Sequence, residues 1–184
     1  MGKRLASLLL RMGGWQVVGE KVPEKHAVIL EAPHTSIWDF WIGFLYYRSL
    51  GGWLTVMMKK ESFFFPVKYL LRAMGGFPID RSNPGATIRS IVREMETSDK
   101  PFHLVICPEG TRKPVHKWKT GYHTIATQAG LPVYVSFVDW GHKRVGIWGK
   151  APLGGNARED TDNIQKIYKS LNLIGKHPEK YVTE

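Results

Sequence analysis

Apolar runs of strand length alternate with segments of helical periodicity along most of the chain. Runs rich in valine, isoleucine and leucine predict buried strands at 15–18, 26–30, 55–58, 77–79, 103–107, 133–138 and, at a sheet edge, 145–148. Apolar side chains that recur every three or four positions predict helices at 3–13, 37–47, 61–74, 84–96, 120–129 and 160–173. The alternation predicts one α/β domain over residues 1–184, with flanking helices covering a mostly parallel central sheet.

Two polar motifs come directly after predicted strands. The segment PHTSIWDF follows the strand at 26–30, and PEGTR follows the strand at 103–107. Parallel strands end at the same edge of their sheet, and in such sheets function lies beyond the carboxyl ends of the strands. We therefore expect the two motifs to meet in one site.

Charge narrows the choice of partner. The chain has 184 residues and a net charge of +10, which implies an anionic partner such as nucleic acid, lipid headgroups or a phosphorylated substrate.

The cysteine content and the length of the apolar runs limit the compartment. The sole cysteine, Cys107, excludes an internal disulfide, and we expect it to be a buried strand residue in a protein of a reducing compartment. No apolar run approaches the roughly 18 residues of a spanning helix, which leaves a soluble chain or one bound at a membrane surface.

Three segments are candidates for contact with a membrane. In the predicted helix at 3–13, basic residues flank a leucine-rich face, so 1–14 is either an interfacial amphipathic anchor or a terminal helix packed on the core. The aromatic group Phe63–Phe65 lies among lysines and suits a headgroup interface or an acyl-chain groove. The helix predicted at 37–47 is apolar nearly all round, and it faces either the core or the membrane.

His34 and Asp39 are candidates for general base catalysis. Histidine has a pKa near neutrality, and a carboxylate bonded to Nδ1 would leave Nε2 free to accept a proton. In a regular helix the two side chains would point about 140° apart. Their pairing therefore requires His34 in a loop and Asp39 in the first turn of the following helix, with Ser36 as the N-cap. The alternative is structural, because Ser36-x-x-Asp39 is close to a capping box.

The Glu109–Arg112 turn is suited to an anionic substrate. Gly110 permits a tight turn whose amides could hold an oxyanion or phosphate oxygens, and Arg112 offers a fork of donors that matches phosphate. Glu109 could bond a substrate hydroxyl or hold Arg112 in place. The alternative is a solvated basic loop. No nucleophile elbow, metal-ligand spacing or nucleotide fingerprint occurs, so we expect direct transfer without metal or cofactor.

Four stretches resemble, in order, the sequence blocks of the glycerolipid acyltransferase family. PHTSIWDF resembles its histidine-x4-aspartate block, GGFPIDR its arginine block, CPEGTRK its third block and LPV its fourth. The chain departs from the family where Pro33 replaces an asparagine, where Cys107 replaces an aromatic residue, and where a second proline is missing after Pro132. The chain is short for the family, so we expect no long N-terminal anchor.

The resemblance implies an α/β acyltransferase that moves an acyl group from acyl-CoA or acyl-carrier protein, as substrates, to a lysophospholipid hydroxyl. It implies that His34 is the base and Asp39 its partner. The implied substrate-binding residues are Arg81, Glu109, Gly110, Thr111, Arg112 and Lys119. The expected acceptor is 1-acylglycerol-3-phosphate, giving phosphatidate, and an amino-acid lipid is the alternative. We expect a cytoplasmic protein, peripheral at the inner face of the membrane.

Two other classes of function remain open at this point. A basic nucleic-acid-binding domain would share the charge and the aromatic residues, but standard binding signatures are absent and His34-x4-Asp39 would have no role. We therefore expect no nucleic-acid partner. A non-catalytic lipid-binding relative is the other class, and the presence of His34, Asp39 and Glu109 argues against it.

Overall fold

A central β-sheet with helices on both faces organises the chain. The computed structural model describes residues 2–80, 82–97 and 99–182. Its strands are β1 (Gln16–Val18), β2 (His26–Glu31), β3 (Leu54–Lys59), β4 (Gly76–Ile79), β5 (Phe102–Ile106), β6 (Val133–Asp139) and β7 (Arg144–Ala151). Its helices are α1 (Lys3–Met12), α2 (Trp38–Ser49), α3 (Val67–Ala73), α4 (Pro84–Thr97), α5 (Gly121–Gln128) and α6 (Ala157–Ser170), with short 3₁₀ turns at Lys60–Ser62 and Pro178–Lys180.

The strand order across the sheet is β1-β7-β6-β2-β5-β3-β4. The pairs from β6 through β4 are parallel, β6 and β7 are antiparallel, and β1 runs parallel to β7. The predicted mostly parallel sheet is therefore confirmed. β2 lies at the centre between β5 and β6, so the loop after β2 opens at the middle of the sheet edge.

Each face of the sheet has its own hydrophobic core. Alternate strand residues point to opposite faces, so Val28 and Leu30 of β2 join one core while Ala27 and Ile29 join the other. The first core is closed by α4, α5 and α6, and the second by α1 and α2. This arrangement fixes β2 from both sides and makes its carboxyl end a rigid support.

Two predicted elements were wrong. The segment predicted as an edge strand at 145–148 is the longer β7, which lies inside the sheet because β1 pairs along its outer side. The helix predicted at 61–74 is divided into a 3₁₀ turn and the short α3, with Phe63–Pro66 between them. Pro66 disfavours helical geometry in the residue before it and has no N–H to donate, which accounts for the break.

Helix α1 packs on α2 by a narrow face. Ala6 and Leu10 are buried, and burial of a leucine side chain stabilises the packing by about 2 kcal/mol. The opposite face stays exposed and apolar at Leu5, Leu8, Leu9 and Met12. None of the described helices is both long enough and apolar enough to cross a bilayer.

Candidate active site

The two motifs meet at the carboxyl edge of the sheet, as the sequence predicts. Strands β2 and β5 are parallel neighbours with Leu30 opposite Ile106, so the loop after one strand lies beside the turn after the other. Both oxygens of the Glu109 carboxylate accept the backbone N–H of His34, at 3.0 and 3.1 Å. A side chain of the second motif therefore holds the backbone of the first.

His34 and Asp39 face each other without a direct hydrogen bond. Asp39 lies in the first turn of α2 and His34 in the loop before it, as the spacing predicts. His34 Nδ1 is 3.7 Å from Asp39 Oδ2, which is within ion-pair range but longer than a hydrogen bond. Nδ1 is buried and has no hydrogen-bond partner in the described structure, while the imidazole as a whole is 23% exposed. Catalytic hydrogen bonds are often long before substrate binds.

The Asp39 carboxylate is held by three donors. Its Oδ2 accepts the backbone N–H groups of Thr35 and Ser36, both at 2.8 Å, and its Oδ1 accepts Trp140 Nε1 at 2.7 Å. Asp39 therefore organises the backbone around His34 in the way that the capping interpretation predicts. The predicted N-cap was wrong by one residue, since α2 has Ile37 at that position and Ser36 Oγ accepts the N–H of Trp38 instead. Capping and contact with His34 are compatible roles for one carboxylate.

Burial dominates the electrostatics of the site. It lowers the pKa of His34 below the ordinary value of 6.5, Asp39 opposes this effect, and the Arg112 guanidinium lowers the pKa further. Burial also raises the pKa of Glu109 to about 8, and Asp39 adds to the rise while the bond from His34 N–H opposes it. A neutral imidazole beside a carboxylate is the form that can accept a proton.

The predicted substrate-binding residues of the turn differ in their contacts. The N–H of Gly110 donates to the carbonyl of Cys107, so this amide is already engaged and the predicted oxyanion role for it has no support. Gly110 has φ 69° and lies under the aliphatic stem of Lys119, where a Cβ would come within 2.8 Å of that stem. Thr111 Oγ1 accepts the N–H of Lys113. Arg112 and Lys119 are exposed and available to solvent anions.

Two further sequence predictions concern Arg81 and Cys107. Arg81 lies outside the described residues. Cys107 is not a strand residue, because β5 ends at Ile106, and its side chain is half-buried at the edge of the sheet.

Sequence patterns missed a second group of residues around His34 and Asp39. Trp140 reaches Asp39 from the loop after β6, and its backbone N–H donates to the carbonyl of Ile174 at 2.8 Å. The same C-terminal segment places Lys176 Nζ 4.4 Å from the Trp140 ring centroid, and the N–H of His177 donates to Thr35 Oγ1. No local spacing links these residues to His34, so only the fold brings them together.

Glu31 was also missed, although the sequence carries a signal for it. It is a carboxylate at the end of an otherwise apolar strand, and it is only 7% exposed. Its Oε2 packs so closely on α2 that a Cβ at Gly43 would come within 2.7 Å. One ligand atom each of Glu31, His34 and Cys107 lie within 4.8 Å of one another, which makes these three residues a group that could hold a metal ion.

Comparisons with known proteins agree with this geometry. The acyltransferase family matches residues 14–137, which span the sheet from before β1 to β6. The search of curated proteins found no match. The crystal structure of the 1-acyl-sn-glycerophosphate acyltransferase PlsC from Thermotoga maritima is similar in fold, with a TM-score of 0.61 and 16% identity over 92% of this chain and 78% of that one. Because the family match covers more than half of its length, the chain belongs to the acyltransferase family and is an acyl-transferring enzyme.

Proposed function

We propose that the chain transfers a fatty acyl group from a thioester donor, acyl-CoA or acyl-carrier protein, to the free hydroxyl of 1-acylglycerol-3-phosphate and so forms phosphatidate. The observation that carries the proposal is the position of His34, with its imidazole beside the buried Asp39 carboxylate and its backbone held by Glu109. The similar fold of a bacterial 1-acyl-sn-glycerophosphate acyltransferase supports the choice of acceptor.

His34 acts as the general base in this mechanism. Its Nε2 takes the proton of the acceptor hydroxyl as the oxygen attacks the thioester carbonyl. The tetrahedral intermediate collapses with cleavage of the carbon–sulfur bond, and the imidazolium returns the proton to the departing thiolate. Asp39 stabilises the imidazolium, and its partners Thr35, Ser36 and Trp140 keep its carboxylate oriented. The proposed transfer uses no metal or cofactor.

The acceptor phosphate is assigned to the exposed cations of the turn. Arg112 lies close enough to His34 to lower the pKa of that imidazole, so a phosphate on its guanidinium would stand near the base. Lys119 packs along Gly110 and extends the same positive surface. Arg81 keeps the role implied by the family resemblance, and Thr111 supports the turn through its bond to Lys113.

Access to a lipid acceptor is assigned to exposed apolar groups. The apolar face of α1 is flanked by basic residues, and the segment from Phe64 to Leu70 exposes Phe64, Phe65, Tyr69 and Leu70 beside Lys68. Exposed apolar clusters with flanking cations suit the interface of an anionic bilayer. We therefore propose that the chain acts as a peripheral protein on the inner face of the membrane.

A panel of donors against acceptors tests the proposed function. The purified chain is incubated with acyl-CoA or acyl-carrier protein and with lysophosphatidate, lysophosphatidylcholine, glycerol 3-phosphate or an amino-acid lipid, and products are detected by mass. The proposal predicts phosphatidate as the main product, with acceptors that lack a terminal phosphate acylated at least tenfold more slowly. Faster acylation of an amino-acid lipid would assign the site to another acceptor.

A further inference from the structure

A mixed set of ligand side chains lies next to the proposed base. Glu31 ends β2, Cys107 follows β5, and the pairing of Leu30 with Ile106 puts these two residues at neighbouring positions of the sheet edge. His34 follows in the loop after β2. A carboxylate oxygen, a ring nitrogen and the thiol sulfur lie within 4.8 Å of one another.

One ring nitrogen of this group lacks a partner. His34 Nδ1 is buried and has no hydrogen-bond partner among residues 2–80, 82–97 and 99–182. Glu31, in the same group, is only 7% exposed. A buried polar group without a hydrogen bond destabilises the folded chain, so proteins ordinarily satisfy such a group with another side chain, a water or an ion.

The local charge favours a cation. Glu31 lies near both Asp39 and Glu109, and burial together with these two carboxylates raises the pKa of Glu31 to about 8. Burial and the same acidic neighbours also raise the pKa of the Cys107 thiol, while Arg112 opposes the rise. A bound divalent ion would offset this accumulation of acidic groups.

We propose that Glu31, His34 and Cys107 bind Zn²⁺ or a chemically similar divalent ion, and that the bound ion inhibits acyl transfer by occupying the His34 imidazole. Oxygen, nitrogen and sulfur donors together suit zinc, whereas magnesium and calcium prefer oxygen alone. Ligand atoms around tetrahedral zinc are about 3.6 Å apart, so the side chains approach one another by about 1 Å on binding. The Cys107 thiol and the Glu31 carboxyl each give a proton to solvent as their bonds to the metal form.

The Cys107 thiol distinguishes this chain from the family that its sequence resembles. Cys107 stands where the family that the sequence resembles has an aromatic residue, which could not ligate a metal. The inhibition, though not the metal site, rests on the proposed function, because it assumes that His34 is the base. Neither Glu31 nor Cys107 has a part in the proposed transfer, so the metal site can be altered separately from the reaction.

Cobalt binding to the purified full-length chain tests the site directly. Co²⁺ is titrated into the protein, and absorption is followed for the sulfur-to-cobalt charge-transfer band and the visible bands of tetrahedral cobalt. We expect one Co²⁺ per chain with a thiolate band that added Zn²⁺ removes. Cys107→Ser should abolish the thiolate band, and Glu31→Gln should weaken binding at least tenfold. The control His116→Ala changes an exposed histidine elsewhere and should bind cobalt like the parent.

Inhibition is measured with the same variants. We expect Zn²⁺ to inhibit acyl transfer reversibly with EDTA, and Cys107→Ser to retain transfer while it tolerates at least tenfold more Zn²⁺. A transferring protein without a thiolate–cobalt band, or equal zinc sensitivity of the parent, Cys107→Ser and Glu31→Gln, would overturn the proposal. A thiolate–cobalt band in a protein without transfer would support the metal site and count against the proposed function alone. If Cys107→Ser fails to fold by circular dichroism, Glu31→Gln decides both measurements.

Discussion

The indole of Trp140 donates a hydrogen bond of 2.7 Å to Oδ1 of Asp39, across 101 positions of the sequence. Oδ2 of the same carboxylate faces His34 Nδ1 at 3.7 Å. Trp140 is itself fixed by the Trp15 ring, 4.9 Å away in an edge contact, and by the carbonyl of Ile174. We therefore infer that Trp140 is a positioning residue, which acts on the proposed base His34 through Asp39.

Trp140→Phe should lower kcat with little change in KM. The substitution keeps an aromatic ring but leaves Oδ1 of Asp39 without its donor, and a hydrogen bond to a charged group contributes about 1.5–3 kcal/mol. If that loss falls on the transition state, kcat decreases roughly 10- to 100-fold. Steady-state kinetics with varied acceptor measure the two constants.

The matched control for Trp140 is Trp148→Phe, which changes an exposed tryptophan of β7. We expect the control to keep the parent kcat. A Trp140→Phe enzyme with parental kcat, or one in which KM alone rises, would show that the indole does not position Asp39 for the reaction.

Glu109→Gln and Glu109→Ala should differ strongly in rate. Both carboxylate oxygens of Glu109 accept the His34 N–H, and glutamine retains one such acceptor while alanine leaves a buried donor unpaired. Burial raises the pKa of Glu109 to about 8, so a neutral amide resembles its protonated form. We expect kcat of the alanine variant to be at least tenfold below that of the glutamine variant. Equal losses in the two variants would mean that Glu109 contributes its charge, and not its hold on His34.

Arg112→Gln should raise KM for a phosphate-bearing acceptor. Loss of charge-assisted hydrogen bonds to phosphate costs about 1.5–3 kcal/mol, which corresponds to about 10- to 100-fold in affinity. The KM for the acyl donor should stay close to that of the parent. Lys113→Gln removes an adjacent exposed charge and serves as the control. Unchanged acceptor KM in Arg112→Gln would remove this residue from the phosphate site.

Asp139→Asn should destabilise the chain. The buried Asp139 carboxylate accepts bonds from His142, Arg144 and the N–H of Ile174. We expect a loss of about 2 kcal/mol, measured by urea unfolding at neutral pH. Hydrogen exchange at 174–177 should stay close to that of the parent, because the amide oxygen of asparagine can still accept the Ile174 N–H at the position of Oδ1.

The effect of Asp139 should depend on pH in a defined direction. Burial by itself would raise the pKa of Asp139, but the bonds from Arg144 and His142 outweigh it and lower the pKa below the ordinary 3.8. A lowered folded-state pKa gives stability that is present above pH about 4 and is lost as pH falls through the folded value. The difference between parent and Asp139→Asn should therefore be constant from neutral to mildly acidic pH and shrink below about pH 4. A difference that grows on acidification would contradict this assignment.

Sequence reasoning succeeded where local periodicity and chain order were sufficient. The apolar runs predicted the strands around His34 and Glu109, and the parallel arrangement then required the two motifs to share an edge. The spacing of His34 and Asp39 correctly required a loop followed by a helix. These inferences depend on the backbone geometry of single elements and on one general property of parallel sheets.

The remaining features depend on contacts between distant residues. β7 lies inside the sheet because it pairs with the short β1. The apolar pattern that predicts a strand does not show which strands will pair with it. The hydrogen bond from the His34 N–H to Glu109 joins residues 75 positions apart. The hydrogen bond from the Trp140 indole to Asp39 joins residues 101 positions apart. The engaged amide of Gly110 depends on how the turn closes onto Cys107, which residue types alone do not determine.

Single-turnover acyl transfer by His34→Ala tests the central claim most directly. The substitution removes the imidazole while Asp39, Glu109 and the turn remain, and His116→Ala serves as a control at an exposed histidine. General base catalysis contributes about 10²- to 10⁴-fold, so phosphatidate formation should slow by that factor in His34→Ala and remain unchanged in His116→Ala. A folded His34→Ala enzyme that forms phosphatidate at the parental rate would contradict the assignment of His34 as the base.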